Sequence, residues 1–463
     1  MTKKFVILFF LLSAFTSRGF SQEPVKAEIL NLDRCLEIAF QSQPNLTAAQ
    51  NTVNLNKSRV GQAASGFYPQ INLSAGFTRT NPATAPASPS PPLVIPGGTV
   101  KATILGSPAK IFIPGQMIQT SAPTTANEDQ YFDNYTTSIR LNQILLDFGK
   151  TYTNVKAQDF NLQSSRSDYE NVREQIIFNV KQAYYGVLQA KRNREVALET
   201  VQQMEKHLEQ AQGFYQVGRS PKFDVTKAQV DLSNARLNLV KADNSLKTAK
   251  AGLNNAMGIT ESLDYEVEDN LSFQSYEIGF DSALEGAYQN RPDLESNLLK
   301  QKSAQESIKN AFTGYLPTLS GTAAYNWAGK EEPLYDGWDL GVNLSLPIFN
   351  GLLTKYQVDE SKASYNIAKA NESYLRQSIY LEVQQAYLNL QAMGDSIPIA
   401  ELTVKQAQEN LDLANGRYSA GVGSPIEVTD AELAYSNARL TYNQALYDYK
   451  IAQASLEKAM GKR

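Results

Sequence analysis

A thirteen-residue turn is written twice in this chain, and that repetition limits what the chain can fold into more than any other feature. Tyr418-Ser-Ala-Gly-Val-Gly-Ser-Pro-Ile-Glu-Val-Thr-Asp430 lies 203 positions after Tyr215-Gln-Val-Gly-Arg-Ser-Pro-Lys-Phe-Asp-Val-Thr-Lys227 and has nearly the same form. At the same offset Ser233-Asn-Ala-Arg236 returns as Ser436-Asn-Ala-Arg439, and Ala256-Met-Gly258 as Ala459-Met-Gly461. Ahead of the turns the offset is 248: Leu36, Ala39, Pro44, Leu46, Gly66 and Pro69 reappear as Leu284, Ala287, Pro292, Leu294, Gly314 and Pro317. Offsets held over such distances mark an internal duplication. The two halves are expected at 22–279 and 280–463, and the 45-residue difference in offset falls in a Pro/Ala/Ser/Thr-rich stretch over 80–130.

Long helices surround each turn. Residues 150–217 contain no proline, and glycine only at 186 and 213. As one helix this run would extend roughly 100 Å. Val201, Met204, Leu208, Ala211 and Tyr215 step three and four residues apart, as do Val404, Ala407, Leu411, Ala414 and Tyr418. That is the seam spacing of a coiled coil. A returning helix is expected over 222–257, stopped by Gly258. Residues 32–66 also read as helical, with Pro44 as a kink or restart.

Between the helices the period changes to two. Ile71, Leu73, Ala75 and Phe77 alternate with Asn72, Ser74, Gly76 and Thr78. Tyr135, Thr137, Ile139 and Leu141 alternate with Thr136, Ser138, Arg140 and Asn142. Two more such strands follow the second repeat of the short helices, one with Leu319, Ala323, Tyr325 and Trp327 and one with Trp338, Leu340, Val342, Leu344 and Leu346. About nine residues are expected between these last two. The 80–130 stretch reads as a long exposed loop with a small hairpin around Ile104 or Ile111.

Residues 1–21 read as a secretory signal peptide: Lys3-Lys4, an apolar core, then Gly19-x-Ser21. Its removal takes the net charge from −4 to −7, which argues against nucleic acid as a partner. No later segment approaches the roughly 20 apolar residues of a spanning helix. Two-faced strands nevertheless suit an outer-membrane barrel, wet inside and apolar outside. Four strands cannot close a barrel, and open strand edges are not tolerated in lipid. The chain must therefore oligomerise; three copies supply twelve strands, with Phe77, Tyr135, Trp327 and Trp338 as girdle positions at the membrane interface.

The double repeat, the Tyr-x-x-Gly turns, the Asn-Ala-Arg helices and the Ala-Met-Gly ends resemble the TolC-type outer membrane efflux proteins, over essentially the whole mature chain. The resemblance implies an all-α-dominated membrane α+β protein: a homotrimer whose twelve-stranded β-barrel, four strands per chain, sits in outer-membrane lipid and continues into a long α-helical coiled-coil tunnel through the periplasm of a Gram-negative bacterium. It implies a passive exit duct of a tripartite efflux or type I secretion system, docked to a periplasmic adaptor (membrane fusion) protein and an inner-membrane RND or ABC pump. The sequence lacks the cysteine of the family's lipidated branch. A pore-free adhesive coiled coil would explain the helices but not two-faced strands repeated at a fixed offset.

Nothing points to catalysis, a cofactor or a metal. His207, the one histidine, is expected to be solvated beside Lys206 and Glu209, and Cys35 to be a small buried apolar residue. At the second turn Ser424-Pro-Ile-Glu427 fits a capping box, with Ser424 as N-cap and Glu427 reaching back to its amide. Gly218 and Gly421 are expected at positive φ. By the resemblance, Glu427 and Asp430 form an acidic ring at the periplasmic entrance, and Tyr418 joins a closing network with an arginine five residues on. That position here is Gly423, which puts an arginine lock in doubt. Tyr215, Gly218, Asp224, Gly421 and Gly423 are the expected adaptor-docking positions of the two tips. The duplicate position of Asp430 is Lys227, and that of Glu427 is Asp224.

Overall fold

The structure, a computed structural model, describes residues 28–80, 93–95, 97–104, 107–113, 116–118, 131–260 and 265–462. The expected signal peptide and much of the 80–130 loop lie outside the described residues. The described elements in chain order are β1 (Glu28–Leu30), α1 (Leu32–Ser42), α2 (Pro44–Ala64), β2 (Gln70–Thr80), β3 (Leu93–Ile95), β4 (Gly98–Ile104), β5 (Ser107–Ile113), β6 (Gln116–Ile118), β7 (Phe132–Leu146), α3 (Lys150–Gln216), α4 (Lys222–Met257), β8 (Tyr265–Val267), α5 (Phe280–Asn290), α6 (Pro292–Phe312), β9 (Thr318–Gly329), β10 (Tyr335–Ser345), α7 (Leu353–Ser419) and α8 (Pro425–Ala459). Two compact units take material from both halves of the sequence. One holds the described residues up to Val60, Lys156–Ile308 and those from Asp359 on; the other holds the described residues of Gly61–Val155 and Lys309–Val358.

In the helical unit the main core gathers Cys35 and Ala39 of α1, Ile176, Val180 and Tyr184 of α3, Leu253 and Met257 of α4, and Ile379, Val383, Tyr449 and Leu456 of α7 and α8. Cys35 is fully buried, as its small apolar character suggests. The parallel pair β1–β8 lies beside it. The Ala-Met-Gly motif acquires a physical reason here. Gly258 ends α4 at φ 77°, and a Cβ on it would stand 2.9 Å from the Ser42 carbonyl, at the restart between α1 and α2. Gly461 ends the second hairpin at φ 64°, where a Cβ would stand 2.9 Å from Arg291 N, at the matching restart between α5 and α6. Only glycine meets both requirements, the left-handed step and the close backbone approach. Arg291 locks that second junction, bonding Asp293 at 2.8 Å, Glu382 at 2.6 Å and the Ala459 carbonyl at 3.2 Å.

The other unit is a sheet of order β10-β9-β7-β2, antiparallel throughout. Its register puts the alternation expected of each strand into one plane: Phe77 opposes Tyr135, Leu73 opposes Ile139, Ile139 opposes Tyr325, and Tyr325 opposes Trp338. On the other face Ser74 bonds Ser138 at 2.8 Å, and Asn326 bonds Asp339 at 2.9 Å. The small hairpin exists as β4–β5, and β3 pairs with β6. The β9–β10 connection is shorter than the expected nine residues, because the ladder continues to Ala328↔Tyr335. Backbone pairing needs no apolar side chain, so it outlasts the alternation that marks the strand in sequence. The duplication also returns as contacts: a Cβ on Gly66 would press on Thr151 Cγ2 at 3.0 Å, and one on Gly314 on Thr354 Cγ2 at 2.9 Å.

Candidate functional site

Both long helices end on a left-handed glycine, Gly218 at φ 74° and Gly421 at φ 77°. Gly218 N donates to the Tyr215 carbonyl at 3.0 Å and Arg219 N to that of Phe214 at 2.8 Å. The second turn repeats this with Gly421 N to Tyr418 at 2.9 Å and Val422 N to Arg417 at 3.0 Å. These bonds satisfy carbonyls that the helix leaves unpaired. The second turn is tighter, since Gly423 N also donates to the Arg417 carbonyl at 3.0 Å. A Cβ on Gly423 would stand 2.8 Å from Tyr418 N and 3.0 Å from Arg417 backbone carbon. No side chain fits there without backbone movement, so an arginine is sterically excluded at this position.

Two other arginines stand nearby. Arg417 Nε lies 3.3 Å from Glu427 Oε2. Arg219, from the first tip, crosses the Phe214 ring at 5.0 Å and reaches Gly421, where a Cβ would collide with its Nη2. The expected capping box is therefore half made. Ser424 Oγ accepts from Ile426 N at 3.2 Å, but the Glu427 carboxylate turns to Arg417, which faces it across the turn. Asp430, one helical turn on, is exposed and makes no ion pair among the described residues. Its counterpart Lys227 is half-buried and paired with Asp231 at 2.8 Å; Asp231 also accepts from Thr429 Oγ1 of α8 at 3.2 Å. Asp224 is half-buried on the same helix.

The two tyrosines differ although their turns agree. Tyr215 is 47% exposed and Tyr418 only 4%. Tyr418 packs with Leu411, Ala414, Val428 and Ala431, and against Phe214 of α3 at a ring separation of 5.4 Å. Its Oη is buried without a hydrogen-bond partner. Burial raises the phenol pKa, and the Asp224 charge adds to this. His207 corrects the sequence reading: it is not solvated but 7% exposed, its ring 5.3 Å from that of Tyr418. Burial lowers its pKa below the ordinary 6.5; Asp231 opposes this, Lys227 reinforces it and Asp224 opposes it. Its position flanks the Met204–Leu208 seam, and a residue there is buried only when another helix comes alongside.

On the sheet, Phe77 and Tyr135 stack at 4.9 Å and Trp327 lies 4.6 Å from Tyr325, while Trp338 is 76% exposed. All four lie toward the end that carries the β9–β10 connection. Sequence periodicity missed a second aromatic set at the opposite end, exposed Phe67, Tyr68, Phe148, Phe312, Tyr315 and Phe349. They sit in the segments entering and leaving the strands, Phe312 as the last residue of α6, where the strand period does not apply; aromatic residues flanking both strand ends were the available signal.

A two-faced antiparallel sheet with apolar residues bare on one side, joined in one chain to long helical hairpins, defines the class of outer membrane channels. The model of the outer membrane efflux protein family matches residues 35–259 and 283–462, and the chain belongs to that family. It is 25% identical over 305 residues to outer membrane protein TolC of Vibrio cholerae, covering 64% of this chain and 69% of that one. To TolC of Escherichia coli it is 29% identical over 315 residues, covering 63% and 62% respectively. The fold is similar to that of the Campylobacter jejuni CmeC outer membrane channel, with a TM-score of 0.75 at 18% identity and coverage of 98% of this chain and 94% of that one. The protein is an outer-membrane efflux channel.

Proposed function

We propose that three copies of this chain close a twelve-stranded barrel and form the passive exit duct of a tripartite efflux or type I secretion system. The observation that carries this reading is the sheet order β10-β9-β7-β2, which leaves one edge of β2 and one of β10 unpaired among the described residues. Unsatisfied strand edges cost several kcal/mol per backbone group in lipid, so the edges must meet those of further copies. The exposed Trp338, Leu340, Val342 and Leu344 then face lipid, and Asn72, Ser74, Arg140 and Asn326 face the water-filled interior. The two aromatic sets stand as interfacial girdles.

The hairpin tips meet the periplasmic adaptor through Tyr215, Gly218, Asp224, Gly421 and Gly423, with an RND or ABC pump behind it. Glu427 and Asp430 of three copies ring the entrance and select cations; Tyr418 packs the hairpin that carries them. Paired acidic groups on one helix face, three residues apart, support the ring. Detergent-extracted protein should run as a trimer and conduct ions across planar bilayers. Replacing Glu427 by Gln and Asp430 by Asn together should move the reversal potential under a salt gradient toward zero selectivity. A monomer without conductance would overturn the duct; an unchanged reversal potential would overturn the ring.

A further inference from the structure

We propose that His207 is a proton-operated latch between the two hairpins: acidification charges its imidazole, displaces it from the Tyr418 ring and loosens the second tip. The inference rests on the entrance reading above, and names what regulates that entrance. Three observations carry it. The chain has a single histidine, and it is buried at the place where the first hairpin touches the second. Its ring lies against Tyr418, the residue on which the second tip's small core of Leu411, Ala414, Val428 and Ala431 is built. The Tyr418 Oη is buried with no partner, so packing, rather than a hydrogen bond, holds the ring in place.

The groups facing His207 determine the sign. From α4 come Asp224, Lys227 and Asp231; from α7 the Tyr418 phenol; from α8 Thr429, through its bond to Asp231. Asp231 is already committed to Lys227 and Thr429, and a new imidazolium would stand near the Lys227 cation. A buried neutral imidazole is tolerated; a buried charge must be paired or reach water. The packed arrangement therefore binds the proton less readily than a loosened one, in which His207 is hydrated and returns to an ordinary pKa near 6.5. Above that pH the latch is indifferent to protons. Below it the loosened-to-packed ratio rises as pH falls, and levels off once pH lies below the depressed value of the packed form as well. Glu432, a buried carboxyl on α8, has the opposite sign: it is raised to about 7, so acid neutralises it and favours burial.

The test uses full-length protein in detergent, with spin labels on cysteines placed at exposed Lys222 of α4 and Leu413 of α7; the native Cys35 is buried and unreactive. Distances are read by pulsed electron paramagnetic resonance at pH 7.5 and 5.0, and conductance in bilayers at the same two values. In a Glu432→Gln background, which removes the opposing carboxyl, the expected result is a longer, broader distance distribution at pH 5.0 than at pH 7.5. His207→Phe, which keeps a ring against Tyr418, should abolish the shift, and so should His207→Gln. A distribution that is the same at both pH values, or a shift that survives in both variants, overturns the latch. Distances that shift in a protein without conductance uphold the latch and overturn the duct. Conductance that responds to pH while the distances do not overturns the latch and leaves the duct standing.

Discussion

At the first tip Tyr215 stands 47% exposed, Lys227 leans on Asp231, and Gln229 is exposed; at the second Tyr418 is 4% exposed, Asp430 is exposed, and Glu432 is buried. The turns share their glycines, their hydrogen-bond pattern and the helices they join. They differ because the second tip has its own core, which Phe214 and His207 of α3 cover. The first hairpin's core lies further back, at Val201, Met204, Leu232 and Ala235. A duplicated turn has thus become one bare tip and one packed tip, and each copy serves as a control for the other.

The comparison breaks most visibly at the tyrosines. Tyr418→Ala should cost the second tip about 3–5 kcal/mol, the range for truncating a buried aromatic, seen as lost hydrogen-exchange protection over 411–431. Tyr215→Ala should stay within about 0.5 kcal/mol. Equal effects would mean that the tips are packed alike.

Glu432 and its counterpart Gln229 give the next contrast. A carboxyl raised by burial to about 7 contributes stability that is fully present below the ordinary carboxylate range and lost as pH rises through about 7. In His207→Phe, where the opposing imidazole is gone, proteolytic resistance of the second tip should therefore fall between pH 5 and 8, by an amount of order 1–3 kcal/mol. Glu432→Gln should flatten that profile, while Gln229→Glu on the exposed first copy should introduce no such slope.

Glycine replacement sharpens the difference between the turns. Gly423→Ala forces a Cβ onto the Arg417–Tyr418 backbone and should cost about 1–3 kcal/mol of tip stability. Ser220→Ala, at the same place in the first turn, should be neutral in the same thermal or proteolytic assay. Among the contacts of the second turn, the smallest effect is expected at Arg417→Ala. Its pair with Glu427 is more than half open to solvent on the arginine side, so the loss should not exceed about 1 kcal/mol and should vanish in high salt.

Much of this was legible in the residues. Pro44 restarting a helix, Gly258 stopping one, and Asn72 alternating with Leu73 are local signals, since helix ends and strand faces depend on neighbours a few positions away. The Arg417–Glu427 pair was missed because ten residues separate the partners and only the turn's geometry brings them together. The capping box failed for the same reason: a nearby guanidinium competed for the Glu427 carboxylate. His207 was misread from polar neighbours on its own helix, when the helix beside it decided its surroundings.

The sequence by itself determined the duplication, the order of the long helices and the four two-faced strands, and the two faces of their sheet. Those follow from periodicity and from backbone groups that must be paired. Tertiary structure alone decided that Tyr418 is buried and Tyr215 bare, that His207 lies between the hairpins, and that Arg219 of one tip covers Gly421 of the other. Burial at a helix flank depends on which helix packs beside it, and two copies of one turn carry no record of that choice.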